Sequence, residues 1–330
     1  MRIVALEEHF VTASLLEGPA LEFLERFSSA TARVFPGAAP RRVEQLFDLA
    51  EGRIADMDAA GVDVQVLSLT APGLEPFPAA DAVRMAREIN DHLAEAIQRH
   101  PQRFAGFAAL PTADPVAAAD ELEHAVGEHR FVGAVINGHC QGRRLDDEFF
   151  WPILERAEAL GTPLYLHPTP PPASVFSPLY AGNYSESVAF LLSTGAWGWH
   201  IETATHLLRL ILSGAFDRFP RLQVIIGHMG EALPAMLPRL DVMLPTAATN
   251  LQRAPSDYLR QNVYYTFSGF NWTPQFLSLL LQVGADRIMF STDYPYAPMA
   301  EATAFLTDIP VTPNDRERIA HGNAEELLGL

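Results

Sequence analysis

The ionisable residues with the most distinctive spacing are a Glu-x-His pair, two single histidines and an aspartate. Glu7 and His9 close the first short apolar run, His167 and His228 close two later runs, and Asp293 closes the last one. Residues i and i+2 of a strand share a face, so Glu7 and His9 point the same way. Two imidazoles and two carboxylates suit Zn²⁺ or Mn²⁺, with Mg²⁺ or Fe²⁺ as alternatives. We therefore predict one divalent metal ion bound by Glu7, His9, His167 and Asp293.

A second pair of ionisable residues follows the sixth apolar run. His228 lies between the ends of the fifth and eighth runs and is free to act as an acid, a base or a hydrogen-bond donor. Glu231 comes three residues later and can orient the His228 imidazole, as carboxylates near metal sites often do. We predict that these two residues act together.

Other polar and aromatic residues are expected to have structural roles. A lone histidine is most often structural, and we place three in this group: His139, His200 and His206. Glu8 is expected to form a salt bridge at the surface or between elements. Cys140 is expected to be a small buried residue, since no neighbour that would activate a thiol can be named. Trp197 and Trp199 are expected to pack, with an aromatic wall for a ring substrate as the alternative.

The elements that must position these residues alternate between short apolar runs and helical patterns. The runs cover residues 3–6, 62–69, 104–110, 132–136, 163–166, 223–226, 263–267 and 287–290. Nearly continuous apolar runs are typical of parallel strands covered on both faces. Eight strands alternating with eight helical segments predict a (β/α)8 TIM barrel of the α/β class. The alternative, a doubly wound open sheet, lacks a glycine-rich phosphate loop after the first strand.

The active sites of such barrels form at the carboxyl ends of the strands, where the predicted ligands lie. Residues 12–40 separate the first strand from its helix and are too many for an ordinary connection. We predict a single domain over residues 1–330, with 12–40 as an insertion over the barrel mouth. The following helical pattern covers residues 42–60, and Asp114 is placed to cap a helix that begins at Pro115.

The composition excludes several kinds of partner and chemistry. The chain has 23 basic and 40 acidic residues, and its net charge of −17 repels nucleic acid and anionic lipid. All the basic residues are arginine, so no side-chain amine can form a Schiff base. A single cysteine excludes an intrachain disulfide, and neither a signal peptide nor a membrane-spanning stretch is recognisable. We expect a cytoplasmic protein with no nucleic-acid or membrane partner.

Seven segments together resemble the metal-dependent aromatic acid decarboxylases of the amidohydrolase superfamily. They are VALEEHF (4–10), VLSLTAP (66–72), FAALP (107–111), VGAVING (132–138), YLHP (165–168), IIGHMGEALP (225–234) and GADRIMFSTDYP (284–295). The chain is most similar to the γ-resorcylate and 2,3-dihydroxybenzoate decarboxylases, and aminocarboxymuconate semialdehyde decarboxylase is a more distant relative. The resemblance runs in order along nearly the whole chain.

The resemblance implies a distorted barrel with one divalent metal at its mouth, no organic cofactor, and assembly as a homodimer or homotetramer. The family's ligand pattern falls on the four ligands predicted above, and its catalytic pair falls on His228 and Glu231. Asn137 and Arg53 lie in segments that approach the site in similar proteins, and they become candidate substrate-binding residues. The chain departs from the family pattern at residues 169–172 and 294–297, which puts the identity of the substrate in question.

The resulting hypothesis is reversible, non-oxidative decarboxylation of an ortho-hydroxylated, benzoate-type aromatic acid. The metal would bind a ring oxygen and a carboxylate oxygen, Asp293 would protonate the ring carbon, and His228 would serve the phenolic oxygen. The alternative is a hydrolase that attacks a lactone or amide with a metal-bound hydroxide. Superfamily hydrolases usually present His-x-His on strand 1, so the Glu7-x-His9 pair favours decarboxylation. A binding protein without activity is disfavoured, because every proposed ligand is present.

Overall fold

The computed structural model of the chain describes residues 1–16, 18–32 and 38–330. Its strands are β1 (Val4–Phe10), β2 (Val64–Leu69), β3 (Phe104–Gly106), β4 (Ala108–Ala109), β5 (Ala134–Asn137), β6 (Leu164–His167), β7 (Val224–Ile226), β8 (Val263–Thr266) and β9 (Ile288–Met289). Its α-helices are α1 (Gly18–Thr31), α2 (Ala38–Phe47), α3 (Glu51–Ala60), α4 (Ala79–Arg99), α5 (Pro115–Gly127), α6 (Trp151–Leu160), α7 (Ala173–Tyr180), α8 (Glu186–Ser193), α9 (Gly198–Leu212), α10 (Ala215–Arg218), α11 (His228–Glu231), α12 (Leu237–Met243), α13 (Thr246–Thr249), α14 (Pro255–Gln261), α15 (Thr273–Val283), α16 (Met299–Asp308), α17 (Pro313–Glu317) and α18 (Asn323–Leu328). Within these ranges, no helix has the length and apolar character needed to cross a lipid bilayer.

The strands pair in parallel and surround a common interior. They form two hydrogen-bonded sheets, β1-β2-β3 and β4-β5-β6-β7-β8-β9. β3 and β4 are one barrel strand interrupted at Phe107, whose amide still donates to the Leu67 carbonyl. At the other edge, the Leu6 amide donates to the Phe290 carbonyl at 3.1 Å, and Leu6 pairs with Ser291 in a parallel bridge. The sheets therefore meet on both sides, and the predicted (β/α)8 TIM barrel is confirmed.

The buried apolar residues form two clusters, one inside the barrel and one between the strands and the surrounding helices. The inner cluster includes Leu6, Phe107, Val135 and Ile225, which come from four different barrel strands. The outer and larger cluster lies between the strands and the helices. Since both faces of the strands are covered, their near-continuous apolar character follows from the fold.

A bulge in β1 decides which of its residues face inward. Leu6 belongs to the inner cluster and Phe10 to the outer one. Unbroken alternation from Leu6 would turn Glu8 inward. The pairing of β1 with β2 shifts register just before Glu8, and Glu7 has φ 63°. A bulge of this kind inserts one residue and reverses the alternation, so Glu7 and His9 face the interior.

Of the two helices predicted above, one is interrupted by a polar side chain and the other begins where expected. The helix predicted over residues 42–60 is divided into α2 and α3, and this prediction is wrong. Asp48 lies at the break, where its carboxylate accepts the Ala50 amide at 2.8 Å. Asp114 accepts the Ala117 amide at 3.1 Å and caps α5 as predicted.

The segment 12–40 is described only in part, since residues 17 and 33–37 lie outside the described residues. Within it, α1 packs against α8, with the Phe23 ring centroid 6.4 Å from that of Phe190. Phe23 and Phe27 of α1 also line a cavity at the carboxyl ends of the barrel strands.

Candidate metal centre and adjoining cavity

The four residues predicted as metal ligands lie together at the barrel mouth. Glu7, His9 and His167 are buried, and each offers a ligand atom within 4.8 Å of the others. Glu7 Oε1 lies 3.4 Å from His167 Nε2. Asp293 meets this group at one edge, with its Oδ1 3.2 Å from His9 Nε2. We refer to these four residues as the ligand group.

The imidazoles of the ligand group are oriented through the nitrogens that face away from the centre. His167 Nδ1 donates to the Pro168 carbonyl at 2.8 Å, which leaves the Nε2 lone pair toward Glu7. His9 Nδ1 lies 3.4 Å from Ser68 Oγ, and its Nε2 faces Asp293. The Pro168 carbonyl only accepts, so it sets the tautomer of His167 and presents Nε2 to a cation.

The Glu7 carboxylate has one satisfied oxygen and one without a partner. Its Oε2 accepts hydrogen bonds from the Tyr165 and Ser268 hydroxyls. Its Oε1 is buried and has no hydrogen-bond partner among the described residues. Burial raises the pKa of Glu7, but attraction to the His228, His167 and His9 imidazoles outweighs it and holds the pKa below its usual value. An ionised, unpartnered oxygen in a buried site is costly, and a bound cation would satisfy it.

Several site residues have backbone conformations that residues other than glycine rarely adopt. The φ angles of Glu7, His228 and Asp293 are 63°, 51° and 66°. Such conformations persist only where the surrounding structure enforces them, and they concentrate at functional sites. Gly227 shows how tightly the centre is packed, since a Cβ there would lie 2.5 Å from Glu7 Oε2.

Two histidines and a glutamate form a chain of contacts beside the ligand group. His228 Nδ1 donates to Glu231 Oε1 at 2.8 Å, and its Nε2 faces Glu7 Oε1 at 3.8 Å. Burial lowers the pKa of His228, but the Glu231 and Glu7 carboxylates raise it to about 10. The second oxygen of Glu231 lies 2.6 Å from His200 Nδ1. His200, which was expected to be a structural histidine, therefore lies in contact with the site and lines its cavity.

A cavity of about 290 Å³ opens beside these groups. His167, His228 and Asp293 lie on its polar side. Its remaining wall is largely aromatic and includes Phe23, Phe27, Trp199, Phe270 and Tyr296. The rings of Phe27 and Trp199 stack, with centroids 5.5 Å apart and an interplanar angle of 15°. Trp199 thus fits the alternative expectation of an aromatic wall, which suits a flat ring as ligand.

The two segments that depart from the family pattern, 169–172 and 294–297, contain residues at different distances from this cavity. Tyr294 faces away from it and donates its hydroxyl to Asp56 at 2.8 Å. Tyr296 and Ala297 line it. Burial raises the pKa of Tyr296 to about 12, so its phenol stays protonated near neutral pH. Pro170 lines a separate surface pocket.

The two predicted substrate-binding residues lie in different places. Asn137 is paired with His167 in the β5–β6 register, and its buried Oδ1 has no hydrogen-bond partner among the described residues. Arg53 is fully buried behind β1, where it donates to the His9 carbonyl at 2.6 Å. Asn137 is thus a strand neighbour of a predicted ligand, but neither Asn137 nor Arg53 is among the residues that line the cavity.

Two residues that surround the ligand group, Glu8 and Tyr165, were not predicted from the sequence as part of the site. Glu8 is fully buried, and its carboxylate accepts the Thr292 amide at 2.8 Å and the Thr292 hydroxyl at 2.6 Å, so the expected salt bridge is absent from its described contacts. Burial raises the pKa of Glu8 to about 8. Tyr165 could have been found, since it lies two residues before His167 and shares its face of β6.

Comparison with known proteins gives matches along the chain. The family model described as Amidohydrolase matches residues 19–330. The γ-resorcylate decarboxylase of Polaromonas sp. (strain JS666) is 38% identical over 340 residues, which cover 99% of this chain and 98% of that protein. Among the solved structures that match all of this chain are two decarboxylases. Dihydroxybenzoic acid decarboxylase from Polaromonas sp. JS666, with manganese and 2-nitroresorcinol, has a TM-score of 0.89, 36% identity and 97% of its own chain covered. The 5-carboxyvanillate decarboxylase of Novosphingobium aromaticivorans, with manganese and 4-hydroxy-3-methoxy-5-nitrobenzoic acid, has a TM-score of 0.90, 34% identity and 96% covered.

Proposed function

The chain belongs to the amidohydrolase family, and from that premise we propose that it is a metal-dependent decarboxylase of an ortho-hydroxylated, benzoate-type aromatic acid. The observation that carries this proposal is the ligand group at the edge of a cavity walled by aromatic rings. A flat acid in this cavity can present its carboxylate to the polar side while its ring contacts the aromatic side. The related structures hold manganese together with ligands of this shape.

The ligand group fits a divalent cation, and the residues that would hold it are Glu7, His9, His167 and Asp293. The unpartnered Glu7 Oε1 and the oriented Nε2 of His167 are the donors that support this assignment. Manganese is the metal in the related structures, and zinc and magnesium are further proposals. When bound, the cation supplies positive charge that stabilises the charge developing on a phenolic oxygen. No organic cofactor is required, because the aromatic ring itself accepts the electrons.

The chain's own residues supply orientation and protons. The aromatic wall holds the ring so that its carboxyl-bearing carbon faces Asp293. Asp293 donates a proton to that carbon, the bond to the carboxylate carbon breaks, and its electron pair returns to the ring as CO₂ leaves. His228, oriented by Glu231, presents Nε2 to the cavity and holds the proton of the phenolic oxygen. The unpartnered Asn137 Oδ1 is the proposed additional contact to substrate.

Several coarser features complete the proposal. We propose that residues 1–330 act as one domain, with the 12–40 segment covering the barrel mouth. The reverse carboxylation is expected at high bicarbonate concentration. The acidic composition and single cysteine support a cytoplasmic location, and assembly as a homodimer or homotetramer stays a prediction from the sequence resemblance.

The test measures CO₂ release from a panel of mono- and dihydroxybenzoates by protein loaded with Mn²⁺. Hydrolysis of chromogenic esters and lactones is followed in parallel. We expect CO₂ from at least one 2-hydroxybenzoate, with hydrolysis at background. A Glu7→Gln variant serves as the control for metal-dependent turnover. Hydrolysis without CO₂ release would establish the hydrolase alternative instead.

A further inference from the structure

His200 lies in the first turn of α9, and its ring forms part of the cavity wall. Its ring centroid is 4.8 Å from that of His228 and 5.0 Å from that of Phe270. The side chain is buried, and both ring nitrogens have partners. Nδ1 lies 2.6 Å from Glu231 Oε2, and Nε2 lies 3.1 Å from the Gly195 carbonyl oxygen.

The Glu231 carboxylate determines the direction of its hydrogen bond with His200. A carboxylate oxygen only accepts, so Nδ1 of His200 donates to Glu231. Its bond to Glu231 is short, as hydrogen bonds to charged groups are. Glu231 is thus held by two imidazoles, with His228 on Oε1 and His200 on Oε2.

Glu231 needs this second contact because its own backbone does not favour the position. It lies in a tight turn with φ 53°, where few side chains are stable. Removing His200 would leave Oε2 buried without its donor, which costs free energy and allows the carboxylate to rotate. Rotation of Glu231 would release the His228 ring, whose Nε2 faces the cavity.

We infer that His200 is a positioning residue for decarboxylation, because it holds Glu231 in the orientation that aims His228 at the substrate. This inference rests on the proposed function. His200 acts through Glu231 and needs no contact with the substrate. Its loss should therefore lower kcat and leave KM nearly unchanged.

Three substitutions separate the two hydrogen bonds of His200. The amide nitrogen of His200→Asn occupies the place of Nδ1 and can still donate to Glu231, whereas that of His200→Gln reaches only the place of Nε2. We expect His200→Ala and His200→Gln to lower kcat about 10–100-fold, the usual cost of losing an outer partner of a metal site, with KM within about threefold. We expect His200→Asn to recover most of the lost kcat.

A matched control comes from the same helix. His206 is a buried histidine of α9 that accepts the Leu145 amide at 2.8 Å and is not among the residues that line the cavity. We expect His206→Ala to lower stability while retaining kcat. An equal loss of kcat in His206→Ala, or a His200→Asn variant no better than His200→Ala, would overturn the inference.

A double-mutant cycle with Glu231→Gln tests whether His200 acts through Glu231. We expect the double variant to have the same kcat as Glu231→Gln alone, since residues that act as a unit are not additive. Urea unfolding of the same four proteins measures the interaction between the two residues without any turnover. Wild-type protein that decarboxylates no acid would overturn the proposed function. If the changes in unfolding free energy of the two single variants add up in the double variant, the role of His200 is overturned, whatever the activity.

Discussion

At the scale of single residues, Glu7 is constrained in both its backbone and its side chain. It combines a bulged backbone, a buried carboxylate and three imidazole neighbours. A carboxylate ionised in such a buried environment requires positive charge nearby, because the energy of an uncompensated buried charge is high. The ligand group supplies the donors with which a divalent cation would provide that charge.

Removing a ligand imidazole should abolish metal binding. We expect His167→Ala to retain no stoichiometric Mn²⁺ after dialysis, because it deletes the Nε2 donor opposite Glu7. Metal analysis of the purified variant is the measurement. His139→Ala is the matched control, since the His139 imidazole contacts the Pro170 carbonyl outside the ligand group. Wild-type metal content in His167→Ala would remove His167 from the set of ligands.

Substitution of Asp293 should impair catalysis much more than metal binding. We expect Asp293→Asn to keep substantial Mn²⁺ binding, because the amide oxygen can still face the cation. Turnover should fall by at least about 10²-fold, since an amide cannot donate the proton that a carboxylic acid does. Mn²⁺ titration and CO₂ release measure the two effects separately. A rate within a few-fold of wild type would mean that another group protonates the ring.

At the scale of elements, the end of β7 and the bulge of β1 are packed against each other. Gly227 follows β7 and leaves no room for a side chain beside Glu7 Oε2. We expect Gly227→Ala to displace the Glu7 carboxylate and to weaken Mn²⁺ binding by about 10–100-fold, as disturbance of an outer contact does. The affinity is measured by Mn²⁺ titration.

Gly127 provides the control for that substitution. A Cβ at Gly127 would meet no atom within 4 Å, and its backbone is not in the left-handed region. Gly127→Ala should therefore bind Mn²⁺ like the wild type. Unchanged affinity in Gly227→Ala would show that the two elements can separate without cost to the metal centre.

At the scale of the whole molecule, a buried carboxylate makes stability depend on pH. Glu75 lies in the turn after β2 and accepts the Asn137 amide at 2.9 Å. Burial raises the pKa of Glu75 to about 7 from its usual 4.5. The folded protein therefore binds this proton more tightly than the unfolded chain, and the stability it brings is lost as pH rises from about 4.5 to about 7.

The Glu75→Gln variant should remove this dependence on pH. Relative to the variant, we expect the wild-type free energy of unfolding to fall by at most about 3 kcal/mol as pH rises from about 4.5 to about 7. Above about pH 7 the difference should stay level. Urea unfolding at a series of pH values makes the comparison. Identical slopes in the two proteins would show that Glu75 does not titrate with the predicted change.

The sequence by itself predicted the barrel strands in their order and the four residues that meet at the barrel mouth. Apolar runs are local patterns, and a barrel of parallel strands brings their carboxyl ends to one mouth. Glu7, His167 and Asp293 could therefore be placed together without knowledge of any contact. The pairing of Glu7 with His9 also followed from alternation within one strand.

Only the tertiary structure decided which face of β1 turns inward and which residues support the site. The bulge at Glu7 reverses an alternation that begins inward at Leu6, and a bulge depends on pairing with another strand. His200 enters the site, and Arg53 stays behind β1, because of packing between elements distant in sequence. Local patterns carry no record of such contacts, which arise only when the whole barrel closes.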